Sequence, residues 1–135
     1  MGASVALVRL ADTDLTPADA HDDVRGKTVV DRGGEELGVV DDLVIDEAER
    51  RVRLLQVGSG GFLGLGKQQV LVPVDAVTSV DEVVHVDTDR DHVASGPVYD
   101  PDLVLRQDTV AGLYDHYGML PYWHAGYRAP GFPFR

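Results

Sequence analysis

The stretch Gly58-Ser59-Gly60-Gly61-Phe62-Leu63-Gly64-Leu65-Gly66-Lys67-Gln68 holds five of the fifteen glycines, and its reading decides the fold. From Gly61 it runs G-x-x-x-x-G-K-Q, one residue short of a nucleotide-binding loop, because Gln68 stands where a Ser or Thr hydroxyl would bind magnesium. A phosphate loop also needs a helix directly after it, since the anion sits where unpaired N–H groups and the macrodipole converge. Here the chain continues Gln69-Val70-Leu71-Val72-Pro73-Val74, a β-branched run with an internal proline, which favours a strand and excludes a helix interior. The loop therefore joins two strands. Gly58, Gly60, Gly61, Gly64 and Gly66 then serve positive φ angles or close backbone approach, while Phe62, Leu63 and Leu65 fold apolar side chains onto the sheet.

The rest of the middle of the chain has the same texture of short strands broken by turns. Thr28 to Asp31 leads into the turn Arg32-Gly33-Gly34-Glu35, then Leu37 to Asp46, a turn over 47–50, and strands at Val52–Val57, Val70–Pro73, Val77–Val80 and Val83–Val86. A first strand is expected at Val5–Leu10, with the polar stretch Asp12–Asp23 as a surface loop. In Leu37–Ile45 one parity holds Leu37, Val39, Leu43 and Ile45 but also Asp41, while the other holds Val40 and Val44. Broken alternation of this kind fits strongly curved strands with bulges, as a small barrel requires. Two short helical stretches follow: one starting at Asp100-Pro101, and one over Thr109–Tyr117, capped by Asp108, ended by Gly118 and apolar at Val110, Leu113, Tyr114 and Tyr117. The fold class is mainly β, a small barrel with short C-terminal helices and an extended aromatic tail. Residues 1–100 form the barrel, with its core over 23–88, and 101–135 the helical and aromatic extension.

Composition narrows the function. Cysteine is absent, which excludes disulfides, thiol catalysis and cysteine-ligated metal centres. The formal net charge is −11, and it is unevenly placed: residues 11–49 hold thirteen acids against Arg25, Lys27 and Arg32, while the remainder holds ten acids and nine bases. Such a surface repels DNA and RNA, whose affinity depends on Lys and Arg neutralising phosphates, so no nucleic-acid partner is expected. The longest uncharged stretch, Leu54–Gly66, is too short and glycine-rich to span a bilayer, leaving peripheral membrane association as the one membrane role, and a cytoplasmic location is expected.

Groups that could carry chemistry are few. His85, Asp87, Asp89, Asp91 and His92 are the densest set of candidate metal ligands, but the set lacks the glycine and twelfth-position glutamate of a calcium loop and has only two imidazoles for zinc. The aspartates read better as a strand end and as caps for a helical turn over Arg90–Ala94. Asp41 and Asp42, adjacent on a strand, point to opposite faces and share no site. No nucleophile elbow surrounds Ser59, Ser79 or Ser95. No catalytic residue, cofactor or metal is expected. By contrast, seven of the nine aromatic residues lie between Tyr114 and Phe134. Tyr114, Tyr117, Tyr122, Trp123, Tyr127, Phe132 and Phe134 are the candidate interaction residues, because aromatic side chains bury large rigid surfaces and Tyr and Trp keep a polar tip; the other reading folds them back over the barrel.

The runs Asp23 to Asp31, Leu37 to Asp46, Gly60 to Gly66 and Val70 to Val77, in this order and spacing, resemble the PRC-barrel family, named for the cytoplasmic domain of the photosynthetic reaction centre H subunit. Pro97 to Pro101, Tyr114 to Gly118 and Tyr122-Trp123 are similar to the C-terminal extension of stand-alone bacterial members. The resemblance implies a docking and assembly module, non-enzymatic, homodimeric and with an unidentified protein partner. It implies alternatively a peripheral subunit or regulator of a photosynthetic or other membrane electron-transfer complex. No stretch of this sequence is expected to correspond to the H subunit's membrane helix or to the N-terminal domain that precedes a related barrel in a ribosome maturation factor.

Overall fold

A computed structural model describes residues 7–10, 23–46, 51–58, 69–96, 99 and 105–128. Seven strands form one sheet among them: β1 (Leu7–Arg9), β2 (Thr28–Val30), β3 (Glu36–Asp46), β4 (Arg51–Gly58), β5 (Gln69–Pro73), β6 (Val77–Val80) and β7 (Val84–Val86). Two helices follow, α1 (Arg90–Ala94) and α2 (Gln107–His116). The strands lie in the order β5-β4-β3-β2-β7-β6, with β1 paired to the far end of β3. All pairings are antiparallel except β2 with β7.

The two ends of this path, β5 and β6, are joined by a single 3-10 turn, Val74–Ala76, so the sheet has to curl back on itself. No ladder links β5 to β6: the barrel is open there, and the turn bridges the gap with Val74 and Ala76 buried beneath it. The fold is thus the mainly β, barrel-like architecture expected, with a short connection in place of backbone closure.

Bulges resolve the broken alternation. Along β3 and β4 the register passes from Val40↔Val57 to Asp42↔Gln56, leaving Asp41 as an extra, exposed residue, and from Val44↔Leu54 to Ile45↔Val52, leaving Arg53 extra on β4. Each extra residue bends its strand and re-aims the side chains beyond it. Leu37, Val40, Leu43 and Ile45 consequently share the inner core with Leu55, Val57, Val70, Val72, Val84 and Val86. On the outer face Val44, Leu54 and Leu71 are equally buried, because Val110, Leu113 and Tyr114 of α2 lie over them. Both faces of β3, β4 and β5 are therefore apolar, which is why these strands read as nearly continuous hydrophobic runs.

The turn after β2 is organised by one carboxylate. Asp31 Oδ1 accepts from the backbone N–H of Gly33 (2.9 Å) and of Glu35 (2.8 Å), and Asp31 Oδ2 accepts from the N–H of Arg90 at 3.1 Å. Gly34 takes φ +84°, a conformation side chains oppose. Asp89 occupies the N-cap position of α1, but its side chain makes no capping bond, and the side-chain acceptor at the helix start is Asp31, from the turn after β2.

α2 starts two residues earlier than expected. Arg106 occupies its N-cap position, and Asp108 lies inside the first turn, where its Oδ1 accepts from the backbone N–H of Thr109 at 2.8 Å and its charge meets the positive end of the helix. Its end matches the expectation: Gly118, at φ +68°, donates to Asp115 O, and Met119 N–H reaches back to Tyr114 O at 2.9 Å. This is the double-bonded Schellman arrangement. The expected helix at Asp100-Pro101 lies outside the described residues.

Candidate functional site

The bulge on β4 places a charge where an apolar residue would be expected. Val52 packs toward the inner core and Leu54 toward the outer one, while Arg53 between them is only 3 % exposed. Its Nη2 lies 3.4 Å from Asp46 Oδ2, a long ion pair that is itself buried. The guanidinium is then covered by rings from the C-terminal segment, with Tyr122 at 4.4 Å from centroid to Cζ and Tyr127 at 5.9 Å. A guanidinium is weakly hydrated and stacks on aromatic faces, so it tolerates burial that an ammonium would not.

Around this charge the aromatic residues form one cluster. Tyr114, fully buried on α2, meets Tyr122 and Trp123 edge to face at 6.4 and 6.3 Å, and Tyr122 meets Trp123 at 5.0 Å. Burial pushes the Tyr114 phenol far above its ordinary range, with the nearby Asp75 carboxylate adding to the effect. Tyr117 is raised by burial as well. Asp75, in the 3-10 turn, is pushed up chiefly by burial, against the opposing pull of Tyr127 and Arg53. The Tyr127 phenol is pushed up to about 12 by burial and by Asp75. No hydrogen bond of ordinary geometry joins the two: Asp75 Oδ1 and Tyr127 Oη are both buried without a partner, so their mutual influence is electrostatic.

The structure thus brings Tyr114, Tyr117, Tyr122 and Tyr127 together against the chain's own sheet. Trp123 shares the cluster yet stays 37 % exposed, and Leu120, three residues earlier, is 46 % exposed; these are the large apolar side chains presented to solvent among the described residues. Phe132 and Phe134 lie outside the described residues. Sequence reasoning passes over Arg53, although a lone arginine inside Val52–Val57 is a visible anomaly once an aromatic segment is available to cover it.

The glycine stretch connects β4 to β5, which are antiparallel neighbours with Gly58 opposite Gln69, and no helix follows it. Gly58 has a packing reason to be glycine, since a Cβ there would collide with the Asp41 carboxylate, which accepts a 2.9 Å bond from Gln69 Nε2. Gly60, Gly61, Phe62, Gly64, Leu65 and Gly66 lie outside the described residues.

The candidate metal ligands diverge. β7 ends at Val86, His85 turns to Asp81 at 3.2 Å, Asp87 and Asp89 flank Arg32 at 3.7 and 3.5 Å, and His92 faces His116. Among the described residues no three His, Asp or Glu side chains converge as a metal site. Asp41 is exposed at the bulge of β3 and Asp42 is buried. No helix among the described residues is long and apolar enough to cross a membrane.

An open, curled sheet with a 3-10 turn at its seam and a helix on its outer face defines a small barrel-type module. The family model for the PRC-barrel domain matches residues 18–93, and the chain belongs to that family. No curated protein matches the chain.

Proposed function

We propose that this protein is a non-enzymatic PRC-barrel module that self-associates and docks a protein partner through its C-terminal aromatic segment. The barrel of residues 1–100 acts as scaffold and the extension of 101–135 as the contact element. The observation that carries this reading is a contrast within the C-terminal part of the chain: Tyr114, Tyr117 and Tyr122 pack on the chain's own core and Tyr127 lies near Arg53, while Trp123 and Leu120 are exposed. Trp is, with Tyr and Arg, enriched among the residues that dominate interface energies. The segment from Tyr117 to Arg128 holds no carboxylate in a chain of net charge −11, so it is where a second copy meets least electrostatic repulsion.

Light scattering after gel filtration tests it. Twice the chain mass is expected for the wild type, and the single-chain mass for Leu120→Ser with Trp123→Ala, with far-UV circular dichroism checking that the double variant keeps its fold. A wild type of single-chain mass at working concentration overturns the self-association reading.

A further inference from the structure

His92, in the last turn of α1, and His116, the last residue of α2, stack with ring centroids 4.2 Å apart and planes 5° from parallel. His92 Nε2 lies 2.7 Å from His116 O, and His116 Nε2 lies 2.8 Å from His92 O. A carbonyl only accepts, so both Nε2 atoms carry hydrogen and donate. Both carbonyls belong to helix ends, where backbone acceptors lack intrahelical N–H partners, and each imidazole caps the other's helix, with the Ser95 hydroxyl also donating to His92 O at 2.9 Å. Tyr117 meets both rings edge on, at 5.7 and 5.1 Å, and Gly96 leaves room beneath, since a Cβ there would lie 2.9 Å from the His116 ring. His92 falls inside the family match and His116 beyond it, so the pair ties the barrel to the C-terminal helix.

We propose that this reciprocal histidine clasp is a proton-operated latch, closed while at most one ring is protonated and opened when both are. A first proton leaves the Nε2 donor in place and makes its bond to a helix-end carbonyl charge-assisted. The charged groups facing His92 across a cavity of about 200 Å³ are Arg32, Asp87 and Asp89, in which carboxylates outnumber the guanidinium. Asp91 on α1 and Asp108 and Asp115 on α2 are the other acids of the two helices, and Tyr117 is the remaining titratable neighbour. One added cation is thus accommodated. A second stands face to face with the first at 4.2 Å, and like charges at that separation repel. Opening frees the C-terminal end of α2, and with it Tyr114, against which Trp123 rests.

Trp123 is the single tryptophan, so its emission reports the segment directly. The experiment follows that emission, together with amide exchange over α2, from neutral pH down to about 5, where ordinary imidazoles are protonated. It is done in a His124→Gln background, because His124 adjoins the indole. His92→Gln and His116→Gln are compared with this parent: a glutamine amide donates to a carbonyl and never charges, so each variant holds at most one cation. The parent is expected to show an emission shift and faster exchange over α2 in acid, and both variants to lose them. A parent with no shift, or a shift retained in either variant, overturns the latch.

Discussion

The Arg53 guanidinium lies 4.4 Å from the centre of the Tyr122 ring, so a charge contributed by the sheet is sealed by a residue from the far end of the chain. Neither side is stable in that form alone. Without the ring, the Arg53–Asp46 pair would lose its cover; without the charge, the C-terminal segment would keep its apolar contacts, through Met119 and Tyr122, to the outer core and to Tyr114.

Arg53→Ala is therefore expected to destabilise the fold by about 3–5 kcal/mol, the usual cost of removing one member of a buried ion pair. Arg53→Lys should recover little of this, because an ammonium cannot spread over two rings. Urea unfolding read by Trp123 emission measures both, and an Ala variant within about 0.5 kcal/mol of wild type, as for an ordinary surface change, would show that the clamp contributes nothing.

Asp31→Ala removes the acceptor of three backbone donors, two in its own turn and one at the start of α1. A loss of about 2 kcal/mol is expected, the upper range for a lost cap. Burial opposes the Asp31 charge, but the bonds from Glu35, Arg90 and Gly33 outweigh it and hold the carboxyl below its ordinary range. With the folded value depressed, the stabilisation is present above the unfolded value and lost as pH falls through the folded one. A pH series of urea midpoints should show that acid loss in the wild type and a smaller one in Asp31→Ala.

Asp75 has the opposite sign. Burial raises its folded value, so the native state holds the proton more tightly than the unfolded chain. Its contribution is full below the ordinary carboxylate range and lost as pH rises through the raised value. Asp75→Asn should accordingly raise the neutral-pH melting temperature, with the gain shrinking toward acid. A lower melting temperature at neutral pH would mean that the attraction between Asp75 and Arg53 exceeds the cost of burial.

Two glycines make a matched test of backbone effects. Gly34, at φ +84°, should lose about 1 kcal/mol on change to alanine. Gly112, exposed within α2 with open space around a prospective Cβ, should gain roughly 0.5–1 kcal/mol from the same change. Equal effects at the two sites would contradict the backbone described here.

What the chain order alone determined is the list of elements: seven short strands, the glycine stretch as a strand connection, the Gly118 stop of α2 and the apolar stripe Val110, Leu113 and Tyr114. Each depends on local backbone preference or on a period of two or 3.6 residues, and such signals are complete within a few positions. The helix starts were less legible because capping is a competition among acceptors. Asp89 and Asp108 were the nearest candidates in sequence, yet α1 takes its side-chain acceptor from Asp31, which the curled sheet carries alongside. Arg53 under Tyr122 and the stacked His92 and His116 were decided only by tertiary structure. A single extra residue in a strand turns a side chain to the other face, and where the resulting faces meet depends on how the whole sheet curls between the ends that Val74–Ala76 joins.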